Sequence, residues 1–243
     1  YCRKHATDVN GFVLGGRSVG PWLTAFAYGT SYFSAVVFVG YAGQFGWKYG
    51  IAATWAGIGN AIIGSLLAWV VLGRRTRIMS QHLDSATMPQ FFGKRFGSNP
   101  LKIGASVIIF IFLIPYTASL YNGLSRLFGM AFNIDYSVCI IIMATLTAIY
   151  VIAGGYMATA INDFIQGIIM LFGIVAVIAA VIHSKGGFMS ALQGLANVSD
   201  PAVSDTPGIF ASFFGPDPFN LLCVVILTSL GTWGLPQMVQ KFY

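Results

Sequence analysis

Gly231-Thr232-Trp233-Gly234-Leu235-Pro236-Gln237 sits inside an apolar segment that runs from about residue 218 to 240. A proline within a helix removes one backbone hydrogen bond and clashes with the preceding turn. Irregular backbone at membrane depth persists only where protein, water or a ligand satisfies the freed polar groups. A second interruption, Ala27-Tyr28-Gly29-Thr30-Ser31-Tyr32-Phe33-Ser34, lies in the apolar segment from 21 to 46. Gly, Ser, Thr and Pro are also ordinary packing and kink residues of membrane helices, so neither break decides the matter alone. Two of them, five spans apart, form the pattern of a midplane binding site between inverted repeats.

The surrounding composition identifies the solvent as lipid. Of 243 residues, 13 are Lys or Arg and 7 are Asp, with no Glu. That makes 8% charged residues, against roughly 25% in soluble chains. Hydrophobic residues reach 56% and mean hydropathy is +0.76. Crossing the hydrocarbon layer takes about 20 apolar residues, and segments near 21–46, 50–72, 103–130, 136–157, 160–182 and 218–240 meet or approach that length. An all-α membrane protein of about six transmembrane helices is expected. The net charge of +6 is scattered between apolar runs, so it reads as a topology signal rather than a nucleic-acid-binding patch.

Placing the N-terminus in the cytoplasm puts Arg3, Lys4, Arg17, Arg74, Arg75, Arg77, Lys94, Arg95, Lys102 and Lys241 inside, and only Lys48, Arg126 and Lys185 outside. By the positive-inside rule, residues 1–20 and 73–102 are cytoplasmic and the chain belongs in the plasma (inner) membrane. Arg17 is expected to anchor at cytoplasmic headgroups and Arg126 to snorkel to the outer interface. In the inner loop, Asp84 or Ser85 is the expected cap of a short helix with Pro89 in its first turn. In the outer loop, Phe188, Leu192, Leu195 and Ala196 fall at helical spacing. The chain starts at Tyr1 without an initiator Met and stops just after an apolar segment, so it is expected to be part of a longer protein.

Catalytic chemistry finds no constellation. Aspartyl catalysis needs two carboxylates sharing a site, yet Asp163 is the one acid clearly within a span. His5, His82 and His183 fall on three separate extramembrane segments, and Cys2, Cys139 and Cys223 lack metal spacing. No enzyme is expected. A carboxylate inside a span is a functional hypothesis by default, although an acid at a helix start is also a favoured N-cap.

Four stretches carry a resemblance to a known family, in that family's order. They are Phe12-Val13-Leu14-Gly15-Gly16-Arg17-Ser18-Val19-Gly20-Pro21-Trp22; Thr87-Met88-Pro89-Gln90-Phe91-Phe92 with Lys94-Arg95-Phe96; Gly154-Gly155-Tyr156-Met157-Ala158-Thr159-Ala160-Ile161-Asn162-Asp163-Phe164-Ile165-Gln166; and Trp233-Gly234-Leu235-Pro236-Gln237. Over residues 10 to 243 the chain resembles the sodium/solute symporter family, the group of sodium-coupled proline, pantothenate, sialic acid and glucose transporters. The resemblance implies the five-plus-five inverted-repeat fold also used by the leucine transporter. Residues 1–243 would then hold the first repeat and the first helix of the second. The remaining helices, which complete the family's sodium site with Ser/Thr side chains, would lie beyond residue 243.

The resemblance also implies a function, sodium-coupled import of a small organic solute by alternating access. Na+ is then the coupling ion, with the carbonyls of Thr30 and Phe33 as ligands and Asp163 on the sodium path. The solute would be met by Ser31, Ser34, Thr54, Tyr116, Thr232, Trp233 and Gln237. Its class is pantothenate, an amino acid, a sugar acid or a sugar; the partners are that solute and membrane lipid, with no nucleic acid. Proline transporters carry Asp where this chain has Tyr32, which points away from a proline-type site, and sugar transporters carry a gating Tyr at the position of Thr232. The stretch around Asn162-Asp163 and Gly234-Leu235-Pro236 looks most like the pantothenate subgroup. A passive channel or a transporter-like sensor domain is the alternative.

Overall fold

The computed structural model describes residues 8–17, 19–32 and 41–243. Its described residues are mostly helical and form no strand; one isolated bridge pairs Asp200 with Ser204. The helices are α1 (Val9–Leu14), α2 (Pro21–Tyr32), α3 (Ala42–His82), α4 (Met88–Phe96), α5 (Asn99–Phe132), α6 (Tyr136–Ser184), α7 (Phe188–Ala196), α8 (Pro218–Gly234) and α9 (Pro236–Phe242).

Three of these, α3, α5 and α6, are long and apolar enough to cross a membrane, and α8 with α9 makes a fourth, broken span. The expectation of six spans meets this count at two places. The expected spans 136–157 and 160–182 lie in the single helical run α6, whose 49 residues would extend about 74 Å at 1.5 Å per residue, more than twice the hydrocarbon thickness. Gly155 divides it, with φ 55 and ψ −148, a backbone state open essentially to glycine alone. The first expected span, 21–46, is described only through Tyr32 and again from Tyr41. From Ala42 the helix continues past the expected loop near residue 48, through a tight turn at Gly50, and ends at His82 rather than residue 72.

Lipid-like surroundings are written on the surface. Along α5, Ile103 is 63% exposed and Phe110 and Phe112 are each 69% exposed, while Ser125 is fully buried. This pattern inverts that of a soluble helix, whose apolar stripe faces inward. Together with the apolar helices it makes the chain an integral membrane protein.

The described chain forms two compact units. The first comprises Tyr1–Val39, Trp69–Gly167 and Gly234–Tyr243; the second comprises Gly40–Ala68 and Ile168–Trp233. In the second unit, Gly59 lets α8 approach so closely that an added Cβ would collide with Val225 and lie 3.1 Å from Ser229 Oγ. Beside it Asn60 donates to Thr228 Oγ1 at 3.2 Å, and Tyr49, Ala52 and Leu221 form a buried cluster. The helix widens to π-type turns over Asn60–Leu67 and Trp69–Gly73, a departure that stable helices seldom make. The expected outer-loop helix is present as α7, spanning Phe188 to Ala196 as its apolar spacing predicted.

In the first unit, Leu14, Ala86 and Tyr243 form a buried cluster against Val13, Phe91 and Val239. Tyr28, Trp69 and Phe242 meet as an aromatic trio, with Trp69 centred 5.3 Å from Tyr28 and 4.8 Å from Phe242. Two expectations need correction here. The cap of α4 is Thr87, not Asp84 or Ser85: its hydroxyl accepts from Gln90 N at 3.4 Å while Gln90 Oε1 accepts from Ala86 N at 3.0 Å. That reciprocal pair satisfies two orphan N–H groups at once, which an Asp84 cap could not do from three residues further out. Arg17 does not reach for headgroups. Its Nη2 donates to Ser85 O at 2.9 Å and Ser80 O at 3.3 Å, because the last turn of α3 leaves carbonyls without helical partners.

Candidate functional site

The polar cluster of the first unit is built where α2 crosses α6. The crossing is close because residue 167 is glycine: a Cβ there would lie 2.6 Å from Phe26 Cδ1 and 3.0 Å from Thr30 Cγ2. One turn earlier on α6, Phe164 packs edge-on against Phe26 with ring centroids 4.9 Å apart. This contact brings Thr30 to Asp163. The Thr30 hydroxyl donates to Phe26 O at 2.8 Å, and its side chain lies beside the Asp163 carboxylate.

Asp163 has a second neighbour that the sequence did not announce. Lys241 Nζ lies 3.9 Å from Asp163 Oδ2, with side chains 9% and 23% exposed respectively. The same ammonium stands 4.7 Å above the ring of Tyr156, a cation–π arrangement that suits a poorly hydrated lysine. Lys241, counted above among the cytoplasmic charges, is in addition buried against Asp163 and Tyr156. The available signal was Asp163 itself, since an acid within a span requires a partner.

The seven residues expected to meet the solute fall in different places. Tyr116 and Gln237 line one cavity of about 470 Å³ in the first unit, with Met88, Phe92, Phe112 and Pro236 among its other walls. The walls are mostly apolar; the polar side chains are the Tyr116 phenol and the Gln237 carboxamide, whose Oε1 and Nε2 are both buried without a hydrogen-bond partner among the described residues. A buried amide in that condition costs about 1–3 kcal/mol, so a ligand with one donor and one acceptor is the natural complement. The backbone break supplies the shape: Leu235 adopts φ −67 and ψ 124 and Pro236 starts α9. Burial pushes the phenol of Tyr243, just beyond α9, above its ordinary value.

Ser31 lies on α2, its hydroxyl donating to Ala27 O at 2.7 Å. Thr54, Thr232 and Trp233 belong to the second unit. Thr54 donates to Ile51 O at 2.8 Å and Thr232 to Ser229 O at 2.8 Å, each within its own helix. The Trp233 indole donates to Ile63 O at 2.9 Å in the widened part of α3. Phe33 and Ser34 lie outside the described residues. Tyr32 is buried, with its ring 6.2 Å from that of Tyr28. Arg126, expected at the outer interface, is exposed and donates to Asn122 Oδ1 at 2.9 Å.

Comparison with known proteins adds to this geometry. A family model described as "Sodium:solute symporter family" matches residues 12–243. The osmoregulated proline transporter OpuE of Bacillus subtilis (strain 168) is 31% identical over 245 residues, covering 100% of this chain and 48% of that protein. A sodium/proline symporter of Staphylococcus aureus (strain JH9) is 32% identical over 256 residues, covering 100% of this chain and 46% of that protein. The chain thus spans about half the length of the curated relatives it matches. Those relatives are transporters by name, not enzymes, and neither carries the pantothenate label towards which the motif comparison leaned.

Proposed function

Because the chain belongs to the sodium:solute symporter family, we propose that it forms the sodium-binding half of a symporter that imports a small organic solute by alternating access. The observation that carries this reading is the proximity of Thr30, near the described end of α2, to Asp163, the acid within a span. Sodium prefers oxygen ligands, and main-chain carbonyls at an unwound turn offer them without extra charge. Thr30 and Phe33 would contribute carbonyls, and Asp163 would hold the ion on its path to the cytoplasm. The solute would occupy the cavity at Tyr116 and Gln237, where the unpartnered carboxamide awaits a donor and an acceptor. A zwitterionic amino acid presents both, and the proline-transporter names of the two relatives make L-proline the first solute to test. The five-plus-five inverted repeat, an inner-membrane location and cytoplasmic placement of residues 1–20 and 73–102 complete the proposal.

Thermal melting of the intact protein in detergent tests it, in sodium against potassium, with L-proline, pantothenate, sialate and glucose. A ligand at a hundredfold excess over its Kd stabilises the folded state by about 2.7 kcal/mol. The expected result is a shift of several degrees with one solute, seen in sodium and absent in potassium. Equal shifts in both salts would remove sodium from the reading.

A further inference from the structure

We propose that Lys241 is the lever that couples the cation end of the first unit to its solute end, by competing with sodium for Asp163. The inference rests on the sodium reading above and goes beyond it, because nothing in that reading gives Lys241 a part.

The element concerned is α9. Beside the packing of Val239 on the Leu14 cluster, three contacts hold this short helix within the first unit. Gln240 Nε2 donates to Val13 O at 3.0 Å. Phe242 packs against Tyr28 and Trp69, with centroids 6.1 and 4.8 Å away. Lys241 pairs with Asp163 at 3.9 Å and caps the Tyr156 ring. The first two are neutral contacts that no cation disturbs. The third is an ion pair in a site only 9% and 23% exposed, and it answers directly to a second positive charge.

A sodium ion held by the Asp163 carboxylate would bring a second positive charge to the group with which Lys241 pairs. Like charges so near each other and so poorly hydrated repel strongly, so sodium arrival and lysine pairing oppose each other. Gln237 lies four residues before Lys241 on α9, about one helical turn away. That glutamine carries the unpartnered carboxamide of the solute cavity. Release of Lys241 therefore frees one attachment, the only charged one named above, of the segment that presents Gln237. Sodium at one end of α9 and solute at the other bias the same element, which is the physical requirement for coupling between two sites. Tyr156 offers the released ammonium a neutral resting contact, its ring centroid 4.7 Å from Lys241 Nζ.

The test is equilibrium binding of 22Na+ to the intact protein, wild type against K241M, K241Q and K241R, followed by L-proline binding with and without sodium. Loss of the competing charge in K241M and K241Q is expected to lower the sodium half-saturation about tenfold. In the same variants the sodium-dependent gain in L-proline affinity, typically 5- to 150-fold in coupled systems, is expected to shrink below twofold. K241R keeps the charge and is expected to retain both values within about threefold of wild type. A purely structural role would weaken sodium binding rather than tighten it. Unchanged or weaker sodium binding in both charge-removing variants, with their melting intact, would overturn the proposal, as would tighter sodium binding with undiminished L-proline coupling. Absence of saturable 22Na+ binding in the wild type would instead overturn the sodium reading, and this inference with it.

Discussion

Asp163→Asn is expected to abolish the sodium dependence of solute binding by the intact protein, raising the sodium half-saturation by tenfold or more. The asparagine keeps the shape and one acceptor but removes the charge that offsets both sodium and Lys241. Lys241 then stays 9% exposed with only the Tyr156 ring for company. Removing one partner of a fully buried pair costs about 3–5 kcal/mol; with Asp163 23% exposed, the loss here is expected to be smaller. The double variant D163N/K241M removes both charges together and is expected to recover most of that stability without recovering sodium dependence. A melt of the four proteins separates the two effects, since coupled neighbours are non-additive. Full sodium dependence in D163N would take Asp163 out of the mechanism.

Gly155→Ala is expected to lower the melting temperature more than any other single glycine-to-alanine change in α6. Gly155 has φ 55 and ψ −148, and an alanine Cβ would lie 2.8 Å from Phe12 O and 2.9 Å from Phe12 Cδ2. Backbone strain in such a region costs on the order of 1–3 kcal/mol, and overpacking adds about as much. Gly173 is the control, because an added Cβ there meets nothing within 4 Å. Its alanine variant is expected to be neutral or slightly stabilising, by about 0.5–1 kcal/mol. Equal melting of the two variants would mean that Gly155 does not need its special backbone.

Helix class, membrane solvent and the break at Gly234-Leu235-Pro236 were readable from residues, because apolar length, sparse charge and proline in a span are local signals; the break expected at Ala27–Ser34 is not seen as far as Tyr32, where α2 stays helical, and Phe33 and Ser34 lie outside the described residues. The exact spacing of Phe188, Leu192 and Leu195 foretold α7 for the same reason. What stayed hidden depends on chain segments far apart in sequence. Thr87 beat Asp84 as the cap of α4 because Gln90 could answer it, and Arg17 chose carbonyls 63 and 68 residues away over lipid headgroups. The partners of Lys241 were hidden in the same way. A charge count assigns each basic residue to a side of the membrane, whereas burial against Asp163 follows from α9 lying near α6. Of the solute set, Tyr116 and Gln237 share one cavity, while the hydroxyls of Ser31, Thr54 and Thr232 bond within their own helices, a choice that residue type alone does not reveal.

The central claim is that a sodium gradient drives solute across the membrane, and vesicle uptake tests it most directly. The intact protein would be reconstituted and given radiolabelled L-proline under an inward sodium gradient, an inward potassium gradient, or no gradient. The account predicts transient accumulation several-fold above equilibrium with sodium alone, enhanced by an inside-negative potential worth about 2.3 kcal/mol per charge per 100 mV. Uptake of L-proline at the same rate and to the same level under all three conditions would contradict it.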